Sequence, residues 1–307
     1  VSPAERDQLF ARARAVIARE QTGLMTGTRD DMFVLLREAQ KAVTEILASA
    51  PSDYQRWSLP QLQAQISQAI DDLNRKGAAE ASSAALDAWS NGQQSIDSPL
   101  ERGGVRIQTA LPAVDTVQLG AMRAFMVDRI KDIGVDAMAK ISAELGLVVI
   151  GAQSPSEAIG VVRLLLGERS RDRARTIVGT ELGRLYETAS QERKLQATQI
   201  LPGLKKQWRR SGKLHPRLHH DLADGQIQAV DAPFTLHPFG KSVVRLMYPK
   251  DPAAPAGETI NCGCTSIPYM ASWEVRNPGR VPGSPLLDDG ELVADILARQ
   301  PKPKVTA

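Results

Sequence analysis

The chain reads as an α+β protein whose N-terminal two-thirds is mostly helical and whose remainder is a small strand-containing domain. Three observations carry that reading. Hydrophobic residues make up 42% of the chain but aromatics only 4%, so the core is aliphatic and alanine-rich, as in packed helices. Apolar residues recur at helical spacing through roughly the first 200 positions. After Pro202-Gly203 the pattern changes to short β-type runs separated by proline- and glycine-rich loops.

The elements follow in order. Ser2-Pro-Ala-Glu5 is a capping box with proline at the first helical position, and predicts a helix to about Gln21. Thr28 and Asp30 open a second helix, whose stripe is Met32, Leu35, Leu36, Ala39, Val43, Ile46 and Leu47; Pro51-Ser-Asp ends it. Leu62, Ile66, Ala69, Ile70 and Leu73 mark a third, expected to reach about Trp89. Asn91-Gly92, Ser98-Pro99, Gly103-Gly104 and Pro112 give residues 91–113 a turn-forming composition, and a domain boundary is expected there. Met122, Met126, Ile130, Ile133 and Ala137 predict a long helix stopped by Gly151. A second capping box, Ser154-Pro-Ser-Glu157, opens a short helix to Leu166. A further helix turns Ala174, Ile177, Val178, Leu182, Leu185 and Ala189 inward and a charged side outward.

Strands are expected at Leu204–Arg209, Ser242–Tyr248 and Thr259–Pro268. A linker from Asn277 to Pro285 then leads to a helix at about Leu287–Ala298 and a flexible tail. The expected organisation is a helical docking region at 1–110, a compact domain at 111–275, and a linker with a C-terminal helix and tail at 276–307. No internal repeat is visible.

Bulk properties exclude several classes. The net charge of +3 is too small to name nucleic acid as a partner by itself. Apolar runs such as Leu147-Val-Val-Ile150 fall far short of the ~20 residues of a membrane span, and the N-terminus shows no signal-peptide pattern. Two cysteines cannot make a disulfide framework, and as Cys262-Gly-Cys264 they are poorly placed to bridge each other. Their presence fits a reducing compartment or metal binding.

All four histidines lie between His215 and His237, and both cysteines follow at 262 and 264. His220, Cys262 and Cys264 could supply three ligands to zinc, with His215, His219 or Asp224 as the fourth. On a strand, residues two apart share a face, so both thiolates would reach one ion. The competing reading has the cysteines packed as small apolar residues and His220 holding a turn. A Cys/His nucleophile pair is a third option, but only the residue types are present; no nucleophile elbow, phosphate loop or metalloprotease motif accompanies them. Lys205, Lys206, Arg209, Arg210, Lys213 and Arg217 surround Trp208. They suit either phosphate or partner binding, or a strand edge guarded by charge. Glu181 falls on the inward stripe of its helix, where a carboxylate needs a partner such as Arg184, Arg217 or the histidine turn.

The order of these residues resembles the phage Mu protein F-like family of phage head morphogenesis, or minor head, proteins. The matching positions are Ala174-Arg-Thr-Ile-Val-Gly-Thr180-Glu181, then Trp208, then Arg217 and His220, the histidine twelve residues after the tryptophan. Asp224-Gly225 and Phe234 follow, then Tyr248-Pro249-Lys250-Asp251-Pro252, and finally Asn261-Cys262-Gly263-Cys264. The resemblance covers roughly residues 115–270. Gly263 replaces an arginine usual between the cysteines, Lys250 a loop glycine, and Lys213 and His215 an aspartate and an arginine; any network those groups form in the family is altered here.

The resemblance implies a structural virion protein of a tailed bacteriophage. It would be present in a few copies per head and bound to the portal protein, the major capsid protein or both, with phage DNA as a further partner. Its implied roles are head assembly and genome packaging or delivery, in the host cytoplasm during assembly and then in the virion. No catalytic activity comes with the resemblance. The alternative is a metal- or cysteine-dependent enzyme, a nuclease or peptidase, using the same window during maturation or ejection. Residues 1–110 lie outside the resemblance, and their apolar stripes suit docking on a portal, capsid or partner helix.

Overall fold

The computed structural model describes residues 3–49, 59–102, 114, 116–211 and 217–270. The chain is α+β: a bundle of long helices carries a small lobe of short antiparallel strands. The capping residue Ser2, the loop containing His215, and the expected linker, C-terminal helix and tail fall outside the described residues.

The first helix, α1, is continuous over Pro3–Ser49. At 1.5 Å per residue it is about 70 Å long. The break expected between Gln21 and Thr28 does not occur. Gly23 and Gly27 lie on its open side, while Gln21 and Thr28 are buried. The Gln21 amide donates to the Leu182 carbonyl at 3.4 Å and accepts from Asn91 at 3.3 Å. Tertiary partners on α5 (Ser170–Ala197) and α2 (Leu59–Arg102) hold a stretch of weak propensity helical.

The same override carries α2 through Asn91-Gly92 and Ser98-Pro99, past the expected end at Trp89. Gly92 faces α5 so closely that an added Cβ would lie 2.4 Å from the Tyr186 carbonyl oxygen. Here glycine marks a helix crossing, not a turn. Helix α3 (Thr116–Val149) stops as expected at Gly151, which takes φ +75° and donates its N–H to the Val148 carbonyl. The capping box at Ser154 is formed in both directions and opens α4 (Pro155–Leu164). A π-helical turn at Leu165–Arg169, kinked at Gly167, joins α4 to α5.

The main apolar cluster draws on α1, α2, α3 and α5 together, including Met32, Leu36, Ala84, Trp89, Met126, Ile130, Val178 and Leu182. This core spans both sides of the 91–113 segment, so its packing does not divide there. A second cluster runs from Val43 and Ile66 to Ile141 and Val162.

The lobe has a sheet in the order β2 (Ile227–Ala229), β1 (Lys205–Arg209), β5 (Thr265–Tyr269), and a separate hairpin of β3 (Phe234–Leu236) with β4 (Val244–Leu246). All pairings are antiparallel. Two short helices, α6 (Leu218–Leu222) and α7 (Ala256–Thr259), complete it. The strand expected at Thr259–Pro268 begins only at Thr265, because the preceding residues turn through α7 and Asn261 adopts φ +56°. Cys262 and Cys264 therefore sit on the loop before β5, and the strand-face argument for bringing them together does not apply.

The lobe docks on the C-terminal half of α5, which is largely buried, its polar residues included, instead of presenting a charged outer face. Glu187, Thr188, Gln191 and Lys194 are each 2% exposed or less. Each has a partner in the lobe: Glu187 accepts from Thr265 and the Ser266 N–H, and Thr188 bonds Tyr248. Gln191 donates to the Val230 carbonyl, and Lys194 donates to Ser266. Buried polar groups persist when they are hydrogen-bonded, and here those bonds join lobe to bundle.

Candidate functional site

The site is built from the strand lobe outward. On β1, Trp208 is fully buried; its indole Nε1–H donates to the His220 carbonyl at 3.1 Å and its ring packs edge-on against Phe234 and His220. That bond fixes α6, which carries His219 and His220 side by side. The Nε2 atoms of both imidazoles approach the same oxygen, Oε2 of Glu258 on α7, at 2.6 and 2.8 Å. Burial pushes the Glu258 carboxyl up, but the two histidine hydrogen bonds outweigh it and hold the group below its ordinary range.

With Nε2 engaged, the Nδ1 of His220 faces the two thiols, 3.5 Å from Cys262 Sγ and 3.8 Å from Cys264 Sγ. The Cys262 thiol is pushed down, chiefly by its hydrogen bond with Cys264; that bond and burial push Cys264 up. His220, Cys262 and Cys264 thus meet as the sequence proposed; His215 lies outside the described residues. The other proposed fourth ligands are engaged elsewhere. His219 is bound to Glu258, and Asp224 accepts the Arg210 backbone N–H at 3.0 Å.

The remaining motif residues brace this centre. The Asn261 N–H donates to the Thr180 hydroxyl, and Arg217 donates to the Ile260 carbonyl at 2.7 Å. Glu181, raised by burial and partly offset by Arg184, accepts two hydrogen bonds from that arginine, which also reaches the Lys250 carbonyl. Gly225 takes φ +88° and returns its N–H to the Trp208 carbonyl. In the loop Tyr248-Pro249-Lys250-Asp251, Asp251 caps the Met247 and Ala253 N–H groups, while Tyr248 holds α5 through Thr188. Lys250 occupies a left-handed position, φ +67°, that favours glycine. Its buried ammonium donates to the Cys264 carbonyl at 2.9 Å, and the absence of a side chain at Gly183 leaves room for its stem.

The basic cluster does not form one cationic surface. Lys206 is fully buried, donates to the Met247 carbonyl at 2.7 Å and lies over the Phe234 ring. Burial pushes its pKa down to about 7. Arg209 and Arg210 pair with Asp224 and Asp221. Lys205 is exposed at the start of β1, and Lys213 lies outside the described residues. β-sheet alternation and the hairpin packed below β1 draw Lys206 inward, which its charge concealed in the sequence.

Sequence reasoning assigned no role to Glu258, Glu187 or Lys194. Glu258 stands three residues before Asn261, but nothing in its spacing indicates that both histidines will meet it. Between α1, α5 and the Asn261–Pro268 segment lies a cleft of about 500 Å³, bordered by Arg14, Arg29, Arg175, Lys250 and Glu187. The Nε of Arg14 is buried there without a hydrogen-bond partner among the described residues. Cys262 and Cys264 reach the cleft wall but are only 4% and 2% exposed. The Cys/His pair therefore has the reach of a nucleophile and base, with little of either sulfur exposed to the cleft.

Over 104 residues, 33% of this chain, the sequence is 34% identical to "Uncharacterized protein YqbB" of Bacillus subtilis (strain 168). The matched segment covers 32% of that relative, so the similarity spans about a third of each protein. No family model matches the chain, and no solved structure does.

Proposed function

We propose that this chain is a structural minor head protein of a tailed bacteriophage, acting in head assembly and genome packaging or delivery at the portal or the capsid interior. The observation that carries the reading is the ordered motif set from Thr180-Glu181 through Trp208 and His220 to Asn261-Cys-Gly-Cys264. Its members spend their polar groups inside the fold, on one another in the Trp208–His220 and Thr180–Asn261 bonds and on α5 in the Tyr248–Thr188 bond. That pattern suits a scaffold better than a solvent-facing catalytic centre. The long α1 and α2 supply extended helical surface for docking on the portal or major capsid protein, with phage DNA as a further partner.

Particles purified from the phage carrying this gene should contain the chain in several copies at a fixed ratio to the portal protein, by quantitative mass spectrometry. Deleting the gene should yield heads that are misassembled, or that package or deliver DNA poorly. Absence of the chain from every particle fraction overturns the proposal. A hydrolytic activity lost in His220→Ala with the fold intact would favour the enzymatic alternative.

A further inference from the structure

We propose that the Nδ1 of His220 and the thiolates of Cys262 and Cys264 bind one zinc ion, with Glu258 as the carboxylate that orients His220. Tetrahedral zinc with bonds of about 2.3 Å to sulfur and about 2.0–2.1 Å to nitrogen separates its sulfur and nitrogen ligands by about 3.5 Å. The two nitrogen–sulfur separations are 3.5 and 3.8 Å, and all three ligand atoms lie within 4.8 Å of one another.

Three further features fit. The Nε2–H of His220 is committed to Glu258 at 2.8 Å, which leaves the Nδ1 lone pair facing the sulfurs. A carboxylate–histidine–metal chain is the usual way a zinc-bound imidazole is held in one tautomer and orientation. Second, a single Nδ1 lone pair faces two thiols and can accept from only one of them; an ion satisfies all three groups at once. Third, the loop geometry serves the cluster. Asn261 holds φ +56° and is pinned to Thr180, and the Ser211 N–H bonds Cys264.

The neighbouring group of His219, His220 and Glu258 is a poorer candidate. Its nitrogen–oxygen distances of 2.6 and 2.8 Å are direct hydrogen bonds, with no space for an ion between the atoms. The proposed ligands are 2–4% exposed, so the ion would be shielded from bulk solvent. The lobe's apolar cluster has few large members besides Trp208, Phe234, Leu236 and Leu246, and the segment from Ile260 to Cys264 has no regular secondary structure. Zinc would tie that segment to α6 and supply folding energy that so small a core lacks. The described residues supply three of the four ligands a tetrahedral ion takes.

The test uses the full chain with any purification tag removed. Elemental analysis after zinc reconstitution in reducing buffer should give close to one zinc per chain, and the apo chain titrated with cobalt should show thiolate-to-cobalt absorption saturating at one equivalent. Less than about 0.2 zinc per chain on a folded protein, or no such absorption, overturns the proposal. Cys262→Ser, Cys264→Ser and His220→Ala should each lose the ion, and His219→Ala should keep it. Glu258→Gln should keep the ion with affinity about 10–100-fold weaker. Loss of zinc in His219→Ala equal to that in His220→Ala would overturn the ligand set. Should the cysteine variants fail to fold, titrating the wild-type thiols with an organomercurial must release zinc in step with modification of both; full modification without release overturns it.

Discussion

Trp208 and His220 stand twelve residues apart, and the indole N–H of the first donates to the backbone carbonyl of the second at 3.1 Å. The bond fixes the distance from β1 to α6, so the tryptophan-to-histidine spacing is a length set by tertiary geometry. Trp208→Phe keeps most of the apolar volume but leaves a buried carbonyl without its donor. We expect a loss of about 1–3 kcal/mol by urea denaturation. Trp208→Ala should cost about 3–5 kcal/mol. Equal stability of Trp208→Phe and wild type would show that the hydrogen bond contributes nothing.

Asp97 on α2 and Arg193 on α5 form a buried bidentate ion pair at 2.6 and 2.8 Å. Removing the Asp97 carboxylate leaves the Arg193 charge, which also donates to Gln196, buried without its counter-ion. Asp97→Ala should therefore cost about 3–5 kcal/mol. The apolar double replacement Asp97→Leu with Arg193→Met should cost clearly less than the sum of its two single changes. Additive losses in a double-mutant cycle would contradict this coupling.

Two glycines in long helices should respond in opposite directions. Gly92→Ala drives a methyl group into the Tyr186 carbonyl at 2.4 Å and Ala189 at 2.8 Å, forcing α2 and α5 apart. We expect a loss of about 1–3 kcal/mol. Gly27, on the exposed side of α1, has nothing within 4 Å of an added Cβ, so Gly27→Ala should gain up to about 1 kcal/mol. A thermal melt of each variant decides both, and stabilisation by Gly92→Ala would refute the close crossing.

Lys206 and Lys194 are fully buried, and burial pushes their pKa values down to about 7 and about 8 from 10.5. Lys194, Asp231 and Asp251 are the charges acting on Lys206, the first lowering it and the carboxylates raising it. Between the folded and unfolded values the unfolded chain binds more protons. These lysines therefore make stability rise with pH, from about pH 7 toward 10. Each contributes a slope of up to about 1.4 kcal/mol per pH unit where only the unfolded form is protonated. Tyr248, raised to about 12 by burial, opposes the rise above pH 10. Lys206→Met should flatten the profile between pH 7 and 9.5 without abolishing it. Identical slopes for wild type and variant would mean that Lys206 is not held in the buried state described.

Much of the helical part was legible because burial leaves a periodic trace. Met32, Leu36, Ala39, Val43 and Leu47 form one stripe at helical spacing and are buried, as are Leu62, Ile66, Ile70 and Leu73. Local chemistry also gave the Ser154–Glu157 capping box and the Gly151 stop. Glycine and polar residues weaken local propensity after Gln21 and Trp89 and so predict helix ends that α1 and α2 do not have. The compensating contacts, Gln21 with Leu182 and Gly92 with Tyr186, come from a chain segment about a hundred or more residues away. Strands β2 and β3 leave no trace in the sequence, being only three residues each and too short to show alternation.

By itself, the sequence determined which residue types are available: an apolar complement that is mostly aliphatic and helix-forming, a motif series in fixed order, and soft-metal ligands confined to one window. Those properties are local or additive, so composition and spacing express them. Tertiary structure decided which groups meet. It buried Lys206 and Lys194, surrounded the charged half of α5 with partners, placed Cys262 and Cys264 on a loop, and set Glu258 against both histidines. Such outcomes depend on how separate segments exclude water together. A charged side chain is exposed or buried according to whether another part of the chain supplies its hydrogen bonds, and no local pattern records that.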